Sequence, residues 1–134
     1  MENVRVQVQQ LTVTLSSDRA NADIKPAVDS LGRKFTDLEG TVIDLRQTGQ
    51  GQDGVRWPTQ TAGQLGYLSG NIAASADSPP NAPQRDVYTV LDREAKATKT
   101  IFDALVQKDL EALNAKLRAR GLKPIELNLP KVVF

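Results

Sequence analysis

The chain has 134 residues, a net charge of +1, 25% charged and 4% aromatic residues, and neither cysteine nor histidine. That length fits one domain with a real core, and balanced charge gives no argument for nucleic acid or an acidic membrane. The missing residue types exclude disulfides, thiolate or imidazole metal sites and Ser-His-Asp catalysis, and nothing in the pattern calls for a cofactor. No apolar run approaches the ~20 residues of a membrane span, and Met1-Glu2-Asn3-Val4-Arg5 lacks the layout of a signal peptide.

Residues 2–18 carry two periodicities. Val4, Val6, Val8 and then Leu11, Val13, Leu15 alternate as a strand would, but the two runs are out of phase. Val4, Val8, Leu11 and Leu15 form one helical stripe, which predicts a helix with Val6 and Val13 on its opposite face. Ser16 to Asp23 is the first break, with Asp23 suited to cap the next helix and Pro26 tolerated in its first turn. In that second helix Val28, Leu31, Phe35, Leu38, Val42 and Leu45 repeat at +3 and +4 as a coiled-coil seam. Gly32 and Gly40 weaken it by about 1 kcal/mol each against alanine. It is expected to run to about Gln47, with Gly49 as a left-handed cap.

Arg46 to Pro58 then holds three of the nine glycines, the only tryptophan and a proline. Asp53-Gly54 is a turn pair, and Pro58 suits the first turn of a new helix. Trp57 can cover the open end of a helical core. Arg46 or Arg56 can hold Asp53 through a forked pair. The segment is expected to be a stiff corner between helices. Gly49-x-Gly51-x-x-Gly54 formally matches a dinucleotide fingerprint, but that motif needs a strand before it and a helix directly after it.

The third helix is expected from Pro58 to Ala76, with Thr61, Leu65, Leu68 and Ile72 toward the core. Gly63, Gly66 and Gly70 fall on its other side. They either fray the helix or form a small-residue docking face for a neighbour. Asp77 to Pro83 is a loop whose Asn81 caps a fourth helix bearing Val87, Val90, Leu91, Glu94, Ala97, Ile101 and Leu105. A break is expected near Lys108-Asp109, with Asp109 as a new cap. A last helix holds Leu110, Leu113 and Leu117 and ends at Gly121, before Pro124. Lys116, Arg118 and Arg120 complement the negative helix end, which accounts for this basic cluster without nucleic acid. The tail at 125–134 is extended. Asp37, Glu39, Asp44, Asp92 and Glu94 read as solvated carboxylates, and Tyr67 and Tyr88 as core-edge residues.

Gly49-Gln50-Gly51-Gln52-Asp53-Gly54-Val55-Arg56-Trp57-Pro58 resembles the glycine-rich segment near the C-terminus of large bacterial sortilin-like β-propeller proteins, often labelled BNR or Asp-box repeat glycosyl hydrolases. Pro26–Leu31 and Leu113–Ile125 resemble the same region, so the similarity spans about residues 24–126. It implies the helical C-terminal domain of a longer, exported protein. The glycosidase activity attached to the family would belong to its propeller repeats, so no catalytic residue carries over to this chain.

The expected architecture is therefore all-α: an up-and-down antiparallel bundle of four to five helices, residues 1–134 as one domain, with a Gly-rich loop at 48–57. The expected role is a non-catalytic structural or docking domain whose partner is the parent's β-propeller or another protein. Arg46, Asp53, Arg56 and Trp57 are the candidate corner, and Gly63, Gly66 and Gly70 the candidate docking face. The alternatives are a self-associating coiled-coil-like adaptor using the stripes at Val28–Leu45 and Val87–Leu105, and a carbohydrate-binding module using the Asp53/Arg56/Trp57 corner.

Overall fold

The computed structural model describes residues 1–47, 52–75 and 78–127, apart from the side chains of Asp53 and Gly54. Its helices are α1 (Glu2–Ser17), α2 (Lys25–Val42), a single turn α3 (Asp53–Arg56), α4 (Thr61–Ala74), α5 (Ala82–Ala104) and α6 (Glu111–Ala119). There is no strand among the described residues, so the protein is all-α. The chain divides into two compact units, Met1–Asp37 with the segment from Phe102 onward, and Leu38–Ile101. Helices α2 and α5 contribute residues to both.

The first unit is an up-and-down set of three helical segments. Val4, Val8 and Leu15 of α1 are buried, while Val6 and Val13 are exposed, Val13 at 73%. The helical stripe therefore prevails over the strand-like alternation. Thr12 Oγ1 donates to Asp29 Oδ1 at 3.2 Å, and Val8 packs on Gly32, so α1 runs antiparallel to α2. A Cβ at Gly32 would stand 2.9 Å from Val8 Cγ1. This glycine, costly in helix propensity, permits the close approach.

Ile24, Val28, Leu31 and Phe35 form the buried seam of α2 in this unit. Phe35 meets the edge of Phe102 with ring centroids 6.1 Å apart, within the range favoured by aromatic quadrupoles. Arg120 at the end of α6 forks onto Asp23 at 2.8 and 3.1 Å, which makes α6 antiparallel to α2. Asp23 thus faces α6, and the Arg120 hydrogen bonds hold its pKa below the ordinary carboxylate value.

The break expected at Lys108-Asp109 does not occur. The chain stays helical, with one π-helical stretch at Leu105–Leu110 before α6. The wider turn keeps Leu105, Leu110, Leu113 and Leu117 buried, and Asp109 pairs with Lys34 of α2. Past α6, Gly121 has φ +66°, Leu122 N–H donates to Leu117 O at 2.9 Å and Gly121 N–H to Arg118 O at 3.0 Å. This is the expected left-handed cap, of the Schellman type.

The tail is tied down as far as it is described. The buried Asn114 amide donates to Ile125 O at 3.0 Å and accepts from Ile125 N–H at 2.8 Å. Gln7 grips Glu126 in the same double fashion, at 2.7 and 2.9 Å. Two side-chain amides thus satisfy an extended backbone as a neighbouring strand would.

In the second unit α4 and the first part of α5 form an antiparallel hairpin. Thr61 Oγ1 donates to Glu94 Oε2 at 3.2 Å, while the far end of α4 at Ser75 and the start of α5 at Pro83 line one groove. Asn81 caps α5 as expected. Its side chain accepts from Gln84 N–H and its own N–H donates to the Gln84 side chain, both at 2.9 Å. That reciprocal pair is a capping box.

Several core expectations fail in this unit. Helix α2 stops at Val42, and Leu45 is exposed. Helix α4 begins at Thr61, three residues after Pro58, and of its expected core stripe only Leu68 is buried. Val87, Val90 and Ile101 of α5 are exposed, as are Tyr67 and Tyr88. Helical spacing makes residues share a face, but it cannot say whether another element covers that face.

Candidate functional site

The corner is built around Arg46. Where α2 ends, Asp44 Oδ1 accepts the Arg46 backbone N–H at 3.0 Å. A side chain gripping the backbone two residues on offers the chain a turn in place of further helix, which is why the helix ends before Gln47. The same carboxylate takes the Arg46 guanidinium through Nε at 2.8 Å and Nη2 at 2.6 Å. The Arg46 hydrogen bonds bring the Asp44 pKa from 3.8 to about 2 and raise that of Arg46.

The guanidinium carbon lies 4.0 Å from the centroid of the half-buried Trp57 ring, in cation–π contact. Arg46 and Trp57 are thus brought together as one corner. Arg46 forks onto Asp44; the pairing of Asp53 with Arg46 or Arg56 that the sequence suggests falls on a side chain outside the described residues. Arg56 is exposed at the end of the α3 turn. Gly49 and Gly51 lie outside the described residues, and what precedes the loop is helix α2, so the strand a dinucleotide site requires is absent there. One face of Trp57 is covered by Arg46, which leaves only the other for a sugar ring.

Asp44 and Glu39 are buried, against the expectation of solvated carboxylates. Asp92 pairs with Lys96 at 2.6 Å, four residues on along α5. Asp37 and Glu94 are exposed.

The second feature is helix α4 itself. Its sequence, TAGQLGYLSGNIAA, contains no charged residue, yet most of it is exposed, with Tyr67 at 77%. Gly63, Gly66 and Gly70 lie on the exposed side, and a Cβ at Gly66 or Gly70 would meet nothing within 4 Å. Beside them a groove of about 990 Å³ runs between α4 and the start of α5, lined by Gly63, Tyr67, Leu68, Asn71, Pro83 and Val87 among others, none charged. The sequence signal for this groove was the absence of charge along α4, which the glycine spacing alone does not convey.

Among the described residues no cluster of acidic side chains could hold a metal, and no helix is long and apolar enough to cross a membrane. The fold therefore defines an all-α protein with an uncharged exposed helix and an arginine–tryptophan corner. The chain matches no protein-family model, no curated protein and no solved structure.

Proposed function

We propose that the chain is a non-catalytic helical docking domain and that the exposed face of α4 is its contact surface. The observation that carries this reading is a fourteen-residue helix with one buried side chain and no charge. Water-facing helices normally carry charge on the outer face, whereas interface cores are depleted of charged residues and enriched in aromatics such as Tyr67. Gly66 and Gly70 leave room for a partner backbone to approach closely. The partner is the β-propeller portion of a sortilin-like, Asp-box-repeat protein, of which this chain is the C-terminal helical domain. That assignment, and export with the parent, rest on the resemblance at residues 49–58, 26–31 and 113–125.

Calorimetric titration of the chain with a separately expressed propeller of this class tests the proposal. Binding is expected, and Gly66→Leu is expected to weaken it at least tenfold without lowering the melting temperature, because the added side chain meets open space. No binding by the unaltered chain would overturn the docking role, and equal binding by the variant would remove α4 from it.

A further inference from the structure

The same unit carries a second open surface, on α5. Val87, Val90, Glu94, Ala97 and Ile101 are all exposed, Val87 at 47%, Val90 at 43% and Ile101 at 52%. Their spacing of three and four alternately is the a/d spacing of a coiled-coil seam. Of the two stripes that suggested self-association in the sequence, Val28–Leu45 is buried from Val28 through Leu38, and Val87–Leu105 buries Leu91 and Leu105 but leaves Val87, Val90 and Ile101 open.

We infer that α5 pairs with α5 of a second copy of the chain, antiparallel, about a two-fold axis between Thr89 and Val90. The charges beside the seam fix the partner and the direction. Asp86 and Arg93 are seven residues apart, on the same flank of the stripe. Both are exposed, and neither makes an ion pair with another described residue. In an antiparallel pair that flank faces itself, so Asp86 meets Arg93 of the second copy and Arg93 meets its Asp86. One surface thereby satisfies itself twice, as an isologous contact requires.

Val87 and Val90 of both chains then meet about the axis. Glu94 faces the first turn of the second copy's α5, where the helix dipole is positive. A parallel pair would instead set Glu94 against Glu94 within the seam. The seam adjoins α4, since Val87 also lines the groove beside that helix and Glu94 accepts from Thr61. The pairing is told apart from propeller docking because it is read on the chain alone, with no propeller present.

Light scattering after size exclusion, over a range of concentrations, provides the test. The mass is expected to rise with concentration from 14.6 kDa toward twice that value. Asp86→Arg sets two cations at each contact and is expected to abolish the rise, and Asp86→Arg with Arg93→Asp to restore it. The chain has no cysteine of its own, so single cysteines report direction cleanly. Val90→Cys lies beside the axis and is expected to oxidise to a covalent dimer. Ile101→Cys would sit roughly 35 Å from its counterpart at 1.5 Å per residue and is expected to stay monomeric. A constant mass near 14.6 kDa, a dimer indifferent to Asp86→Arg, or ready cross-linking through Ile101→Cys would each overturn the inference.

Discussion

The two units spend their apolar residues differently. In the first, α1, α2 and the C-terminal helix bury Val4, Val8, Leu15, Ile24, Val28, Leu31, Phe35, Leu105, Leu110, Leu113, Leu117 and, in the tail, Ile125. In the second, the buried hydrophobic residues among those described are Leu38, Leu68 and Leu91, while Ile43, Leu45, Val55, Tyr67, Val87, Tyr88, Val90 and Ile101 are exposed, against Val6 and Val13 in the first. A face that satisfies itself can be read as stability. The faces left open, uncharged on α4 and heptad-spaced on α5, are the ones on which the two proposed contacts rest.

The sharpest way to break this contrast is truncation of a core residue in each unit. Phe35→Ala removes a fully buried ring and its edge contact with Phe102, and should lower stability by about 3–5 kcal/mol. Leu68→Ala, in the thinner core, should fall at or below the bottom of the ~2–5 kcal/mol range for buried leucines. Urea unfolding of both variants measures the difference. Equal losses would mean that the second unit is packed as tightly as the first.

The tail supplies the next test. Asn114→Ala would leave the Ile125 N–H and C=O without their side-chain partner, and stranding buried polar groups costs about 1–3 kcal/mol. Faster hydrogen exchange at the Ile125 amide should accompany that loss. Undiminished protection there would show that the tail is held by packing alone.

These cases also mark what the sequence could convey. The seam from Val28 to Leu38 was legible because every member follows one helical period and another helix covers it. The Schellman end at Gly121 was legible because glycine, basic residues and proline stand in their expected order. The links Arg120–Asp23, Gln7–Glu126 and Asn114–Ile125 join positions whose meeting depends on the fold, so no local pattern announces them. The exposure of Val87, Val90 and Ile101 was hidden for a related reason. Periodicity marks a face and says nothing of its cover. At the corner, the sequence points to Arg46 and Trp57 but not to Asp44, the carboxylate onto which Arg46 forks. The Asp44-x-Arg46 spacing, short enough for a side chain to grip the backbone two residues on, was the missed signal.

That corner has its own pH signature. Asp44 falls from 3.8 to about 2 because Arg46 donates to it. A carboxylate with a depressed folded-state pKa stabilises the fold fully above its unfolded value, and that contribution is lost as pH falls through the folded one. The Asp44–Arg46 contact should therefore hold at neutral pH and weaken from about pH 4 down to about 2. Because Arg46 stacks on the only tryptophan, fluorescence follows this contact directly. Emission should titrate with a midpoint near the lowered value, and Asp44→Asn should remove the transition. A transition unchanged in Asp44→Asn would assign it to another carboxylate.

The smallest expected effects come from two helical glycines, and they differ in sign. Replacing glycine by alanine within a helix gains about 1 kcal/mol of intrinsic propensity. At Gly66 nothing lies within 4 Å of the new methyl group, so Gly66→Ala should raise the melting temperature by a few degrees. At Gly32 the same methyl would lie 2.9 Å from Val8 Cγ1, so α1 must shift and Gly32→Ala should lower it. Thermal unfolding of the two variants side by side decides the matter. If both glycines respond alike, α1 does not rest as closely on α2 as the contact at Val8 requires, or the outer face of α4 is not open. Opposite signs would mean that the glycine in the first unit serves packing, while the one on α4 is retained at a cost in stability, as a contact surface for another protein would explain.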